Sequence, residues 1–162
     1  MALQIFQTWL DAASAAFITD RFDDYRQLVT LPVEMTSNHS TVVMATDDML
    51  RQVFDQYLDL MRSQHATDLI RTARDARFDA EDTVVGTYRT DILRQGQRIL
   101  DPFLSSLMLR RSAGVWRATH LTSGLPKAHW RKTMQTTGAT APTTDIPGDA
   151  ATVTRLSKGS SL

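Results

Sequence analysis

TDDMLRQVFDQYLDLMRS, residues 46–63, is the stretch from which the fold is read. Leu50, Val53, Phe54, Tyr57, Leu58 and Met61 recur at intervals of three and four, which puts one apolar stripe on a helix. Thr46 is placed to cap that helix. Asp47 and Asp48 fall in its first turn, where negative charge suits the helix dipole. Downstream the period changes from helical to two-fold. Residues 67–78, 83–94, 99–111 and 115–122 read as strands, separated by turn residues at 79–82, by Gln95-Gly96-Gln97 and by Ala113-Gly114. Turns this short force antiparallel neighbours, so the four strands form a meander. Pro102 cannot donate to a ladder and marks a bend or bulge near the start of its strand.

Upstream, two further helices precede a hairpin. Residues 3–19 carry Ile5, Trp9, Ala12, Ala13, Ala16 and Phe17 on one side and Gln7, Asp11 and Ser14 on the other. Asp20 can cap a shorter helix with the stripe Phe22, Tyr25, Leu28 and Val29. Pro32 ends it, because the residue before a proline is pushed out of helical geometry. Residues 33–37 and 41–45 are rich in β-branched side chains and flank Asn38-His39-Ser40, a turn sequence. After Leu125 the character shifts. Residues 126–134 can form a short helix around His129 and Trp130. Residues 135–162 lack aromatics, are dominated by Thr, Ala, Gly, Pro and Ser, and read as a disordered tail. The expectation is therefore an α+β domain over residues 1–125. Three N-terminal helices pack on a curved, mainly antiparallel sheet, with the hairpin between the second and third helices.

Composition narrows the function classes. Eighteen basic residues balance eighteen acidic ones, which argues against a general nucleic-acid binder. Cysteine is absent, so disulfides and thiolate chemistry are excluded and a reducing cytoplasm is the expected setting. Met1 to Leu10 lacks a basic region followed by an apolar run, so no signal peptide is expected. No uncharged apolar stretch approaches the ~20 residues that span a bilayer. The histidines share no metal-ligand spacing, and neither a metal site nor a cofactor is expected.

The element order resembles the nuclear transport factor two-like superfamily, the cone-shaped α+β fold of SnoaL-like proteins and ketosteroid isomerases. The resemblance spans roughly residues 3–122. It is carried by Leu31-Pro32-Val33 after the second helix, Thr46-Asp47-Asp48 opening the third, and Gly114-Val115-Trp116-Arg117 opening the last strand. It implies a pocket between the helices and the concave sheet face, and frequent dimers through the other face. It implies no activity, since function on a shared fold resides in the site. Isomerase-type members carry an aspartate base where this chain has Leu31, and a tyrosine donor on a first helix that here contains none. Enolisation of that kind is therefore not expected, and Trp9 serves at most as a pocket wall.

Strict alternation sorts the strand residues by face. Val84, Gly86, Tyr88, Thr90 and Ile92 are expected to look inward, matched by Ile70, Thr72, Arg74, Ala76 and Phe78 on the preceding strand and by Trp116, Ala118 and His120 on the last. Tyr88, Arg74, Trp116 and His120 then converge, with Trp9 and Tyr25 closing the cavity from the helices. Tyr88 and His120 are the candidate acid–base pair, with Arg74 to hold a carboxylate or enolate. The plainer alternative makes Tyr88 and His120 satisfied core residues and sends Arg74 to the rim. Arg71 and Arg77 are expected to point outward and pair with Asp91. Phe103, Leu107 and Leu109 lie on one face of their strand and Leu100, Leu104 and Met108 on the other, so the outer face needs a cover. A second copy of the chain is the economical one, with a folded-back 126–134 segment as its competitor. The functional expectation is a SnoaL-like binding protein for a small, mostly apolar molecule. The alternatives are a cofactor-independent lyase or isomerase and a dimeric interaction module.

Overall fold

The apolar stripe around Phe54 forms the helix α3, Asp47–Ser63, in a computed structural model that describes residues 1–37 and 40–126. The Thr46 hydroxyl accepts the Met49 N–H at 3.2 Å, satisfying one of the donors a helix start leaves free. Ahead of it lie α1 (Ala2–Ile18), α2 (Phe22–Arg26) and the hairpin strands β1 (Val29–Ser37) and β2 (Ser40–Met44). After it come β3 (Asp68–Ala80), β4 (Thr83–Arg94), the two-residue β5 (Gln97–Arg98), β6 (Phe103–Ser112) and β7 (Val115–Ser123). The sheet order is β2-β1-β7-β6-β4-β3, with β5 beside β4. The β3-β4-β6-β7 meander is antiparallel as the short turns require, and β1 joins β7 in parallel. The described residues form an α+β fold with three helices on a mixed, curved, open sheet.

Both tight turns have the backbone that right-twisted hairpins favour. Gln95 and Gly96 have φ of 50° and 83°, and Ala113 and Gly114 have φ of 52° and 77°. Two consecutive positive φ angles are the signature of the primed turn, and glycine at the second position carries it without strain.

Several element boundaries differ from the sequence reading. The second helix stops at Arg26, and Val29 already belongs to β1. Pro32 therefore sits inside a strand, in the interval where the β1–β7 pairing shifts between Val29 and Glu34. Asp20 does not cap α2. It takes a positive φ of 55° and accepts a hydrogen bond from Arg62 at 2.7 Å. The strand expected from residue 99 begins at Phe103, directly after Pro102. The turn at Asn38 and His39, the 126–134 helix beyond its first residue, and the 135–162 tail lie outside the described residues.

The core is built from Phe6, Leu10 and Ala13 of α1, Leu50 and Phe54 of α3, and Val84, Ile92 and Leu109 of the sheet. Gly86 sets how closely α1 approaches. A Cβ there would collide with the Asp75 carbonyl and stand 3.0 Å from the Phe6 ring. The edge strand β3 is covered by α1 as well. The Gln7 side chain donates to the Arg71 carbonyl and accepts the Ala73 N–H, each at 2.8 Å, so a side-chain amide replaces the missing strand.

Candidate functional site

Between the helices and the inner sheet face lies a largely enclosed cavity of about 60 Å³. A water needs about 10–15 Å³ on this scale, so the space holds about four waters. A cavity that accepts benzene is near 150 Å³, more than twice as large, so this space fits a guest of only a few heavy atoms. Phe17, Val29, Met35, Leu50, Phe103 and Leu107 supply apolar wall, and Trp9, Tyr25, Tyr57, Arg71, Tyr88 and Thr90 supply polar atoms.

Arg71 is the centre of the polar end. It reaches the cavity from β3, directly opposite Thr90 on β4, with Phe103 next in the same row on β6. By surface area Arg71 is half-buried. Its Nε is sealed from solvent, and the guanidinium carbon stands 5.2 Å from the Phe17 ring centre and 5.4 Å from that of Tyr57. Among the described residues no carboxylate lines the cavity. Burial opposes the charge on Arg71, yet Tyr57, Tyr88 and Tyr25 together outweigh it and hold the guanidinium protonated above its ordinary range.

The phenols answer in kind. Desolvation pushes Tyr25 up to about 12 against the lowering influence of Arg71. Desolvation likewise raises Tyr88, opposed by Arg71 and by a hydrogen bond with Ser105. Both phenols are thus neutral donors at any physiological pH. Tyr25 belongs to an aromatic cluster with Phe17 and Phe54, ring centres 4.8 and 5.4 Å away. The Trp9 indole N–H is committed to the Leu28 carbonyl at 2.9 Å, so Trp9 is a wall rather than a donor. Three polar atoms on this cavity, Arg71 Nε, the Tyr57 hydroxyl and the Thr90 hydroxyl, are buried without a well-aligned hydrogen bond among the described residues, although Tyr57 lies close enough to Arg71 to help hold its charge. Unsatisfied buried polar atoms are rare, and a cluster of them marks a place for ordered water or a ligand.

Of the six residues expected to form the site, Trp9, Tyr25 and Tyr88 meet in the cavity. Arg74 does not, because a bulge between Ala73 and Asp75 leaves it exposed. Ahead of that bulge the inward residues are Leu69, Arg71 and Ala73, so Ile70 and Thr72 face out as well. Beyond it Ala76 and Phe78 lie opposite Gly86 and Val84, on the inner face as expected. His120 is also outside. The β6–β7 pairing shifts between Met108 and Leu109, which turns Leu121 and Ser123 inward and leaves the His120 side chain 52% exposed, 3.7 Å from Glu34. Trp116 is inward-facing but remote, packed on Phe78 with ring centres 6.3 Å apart and under the Arg111 guanidinium. The ion pair expected for Asp91 is made by Arg89 and Arg98, at 2.9 and 3.2 Å, while Arg77 pairs with Asp79. Among the described residues no group of three His, Cys, Asp or Glu side chains could hold a metal ion, and no helix is long and apolar enough to cross a membrane.

Searches of solved structures return the same architecture at low identity. An NTF-2 like protein of unknown function from Shewanella oneidensis superposes with a TM-score of 0.53 at 14% identity, over 74% of this chain and 98% of that one. The chain has the nuclear transport factor two-like fold. A putative calcium/calmodulin-dependent protein kinase type II association domain from Thiobacillus denitrificans matches with a TM-score of 0.57 at 16% identity, over 70% and 89%. LinA matches at 0.53 and 15%, over 74% and 82%. No protein-family model and no curated protein sequence matches the chain. At these identities the likeness concerns the fold alone.

Proposed function

We propose that this nuclear transport factor two-like protein binds a small organic molecule of a few heavy atoms in the cavity between its helices and sheet. The carrying observation is the enclosed space itself, walled by aromatic and aliphatic side chains and left with three unpartnered polar atoms. Binding is favoured over the lyase or isomerase alternative because the lining contains no Asp, Glu or His among the described residues. Burial raises the Tyr25 and Tyr88 phenols away from neutrality, so neither is poised to take a proton. Titration of the isotope-labelled protein with xenon, propionamide and propionate, followed by NMR, tests this. Saturable shifts at Met35, Leu107 and Leu121 are expected, and unchanged spectra with all three would remove the reading.

A second reading concerns assembly. Leu104 is 57% exposed on the outer sheet face, on the same strand as Met108, and a homodimer through that face would cover them. Leu107 is unsuited to probing that contact, because its side chain is buried.

A further inference from the structure

We infer that the cavity takes an organic monocarboxylate, with the acid group seated on Arg71, Tyr57 and Thr90 and the apolar body against the aromatic wall. The inference rests on the binding reading above and adds the charge of the ligand. Arg71 is a half-buried cation held against the rings of Phe17 and Tyr57, with no carboxylate among the described residues that line the cavity. A buried charge without a counter-charge is strongly unfavourable, and the rings offset it only in part. Every free polar hydrogen on the wall serves the same purpose. Arg71 Nε and the Tyr57 and Thr90 hydroxyls can all donate, and none has an acceptor among the described residues.

An anion with two acceptor oxygens answers both deficits, and a planar carboxylate matches the fork of a guanidinium. One cation and the absence of a second basic side chain among the described residues of the lining limit the ligand to a single negative charge, which disfavours a phosphate dianion. The size of the space and the flanking Phe17, Phe103 and Leu107 call for a short alkyl chain behind the acid.

The test compares propionate, propionamide and xenon on the full chain by calorimetry and NMR. Propionate is expected to bind at least about tenfold more tightly than propionamide, since a charge-assisted contact replaces a neutral one. It should also move the Arg71 Nε–H resonance downfield. Arg71→Met is expected to lose the preference for propionate while still taking xenon, which also shows that the variant is folded. Thr90→Val and Tyr57→Phe should each weaken propionate more than xenon. Propionate binding no better than propionamide, an unmoved Arg71 resonance, or a preference that survives Arg71→Met would overturn the inference and leave the binding reading intact. Failure of all three to bind would overturn both.

Discussion

Arg71→Met should make the empty protein more stable. Methionine has a similar length and no charge, and it can lie along the same path between Phe17 and Tyr57. An uncompensated buried charge costs about 3–5 kcal/mol, whereas the wild-type contacts to two ring faces, at 5.2 and 5.4 Å, return about 1 kcal/mol each. The balance favours methionine by about 1–3 kcal/mol. For a folded unit of this size one kcal/mol moves the midpoint by about 3–5 °C, so the expected rise is roughly 8 °C. Thermal unfolding followed by circular dichroism, with and without propionate, provides the assay. Saturating propionate at about 100 times its Kd adds about 2.7 kcal/mol to the wild type and little to the variant, which reverses the order of the two melting curves. A variant that melts below wild type in the absence of ligand would refute the reasoning. It would show Arg71 as a structural keystone held by its rings rather than a charge awaiting a counter-ion.

Tyr25 gives a pH prediction. Its native value of about 12 lies above the ordinary 10, so between those values the unfolded chain has released a proton that the folded one keeps. Stability therefore falls as pH rises from 10 toward 12, by roughly 2 kcal/mol for this group, and Tyr25→Phe should flatten the slope. A native phenolate absorbance titrating wholly near 10 would contradict the buried environment. Gly86→Ala should destabilise by about 3 kcal/mol or more, since the new methyl meets the Asp75 carbonyl as well as the Phe6 ring, and backbone cannot rotate away. A urea midpoint unchanged from wild type would mean that α1 can lift from the sheet. Thr46→Ala should cost about 1 kcal/mol through the lost cap on α3, read in the same experiment. Leu104→Asp should halve the solution mass if the outer face is a dimer interface, and an equal mass by light scattering would remove that assembly.

The sequence was legible where one physical signal dominated. The stripe from Leu50 to Met61 forms α3, and the glycines at 96 and 114 stand at the turns between β4 and β5 and between β6 and β7, because each feature is local. The inward set Val84, Tyr88, Thr90 and Ile92 also followed from alternation, because β4 pairs with β6 without interruption from Thr83 to Thr90. Pro32 misled the reading of α2, since proline ends a helix and enters an irregular strand equally well.

The arginine was misplaced for a reason that also explains how the site is made. Alternation assigns every second residue of a strand to one face, so it must choose between Arg71 and Ala76, which differ in parity. The protein uses both. The extra residue at Arg74 lets Leu69, Arg71 and Ala73 face inward on one side of the bulge and Ala76 on the other. A bulge also bends its strand, and Gln7 of α1 fastens the backbone on either side of Thr72, just before that bend. The irregularity that defeats a two-fold reading thus carries a charged side chain into the apolar interior. Nothing in the run RTARDAR, residues 71–77, marks which arginine goes in, because all three are spaced as an exposed edge strand would space them. A charge inside and bulk apolar packing at the other end of the same strand are two demands that one unbroken alternation cannot meet.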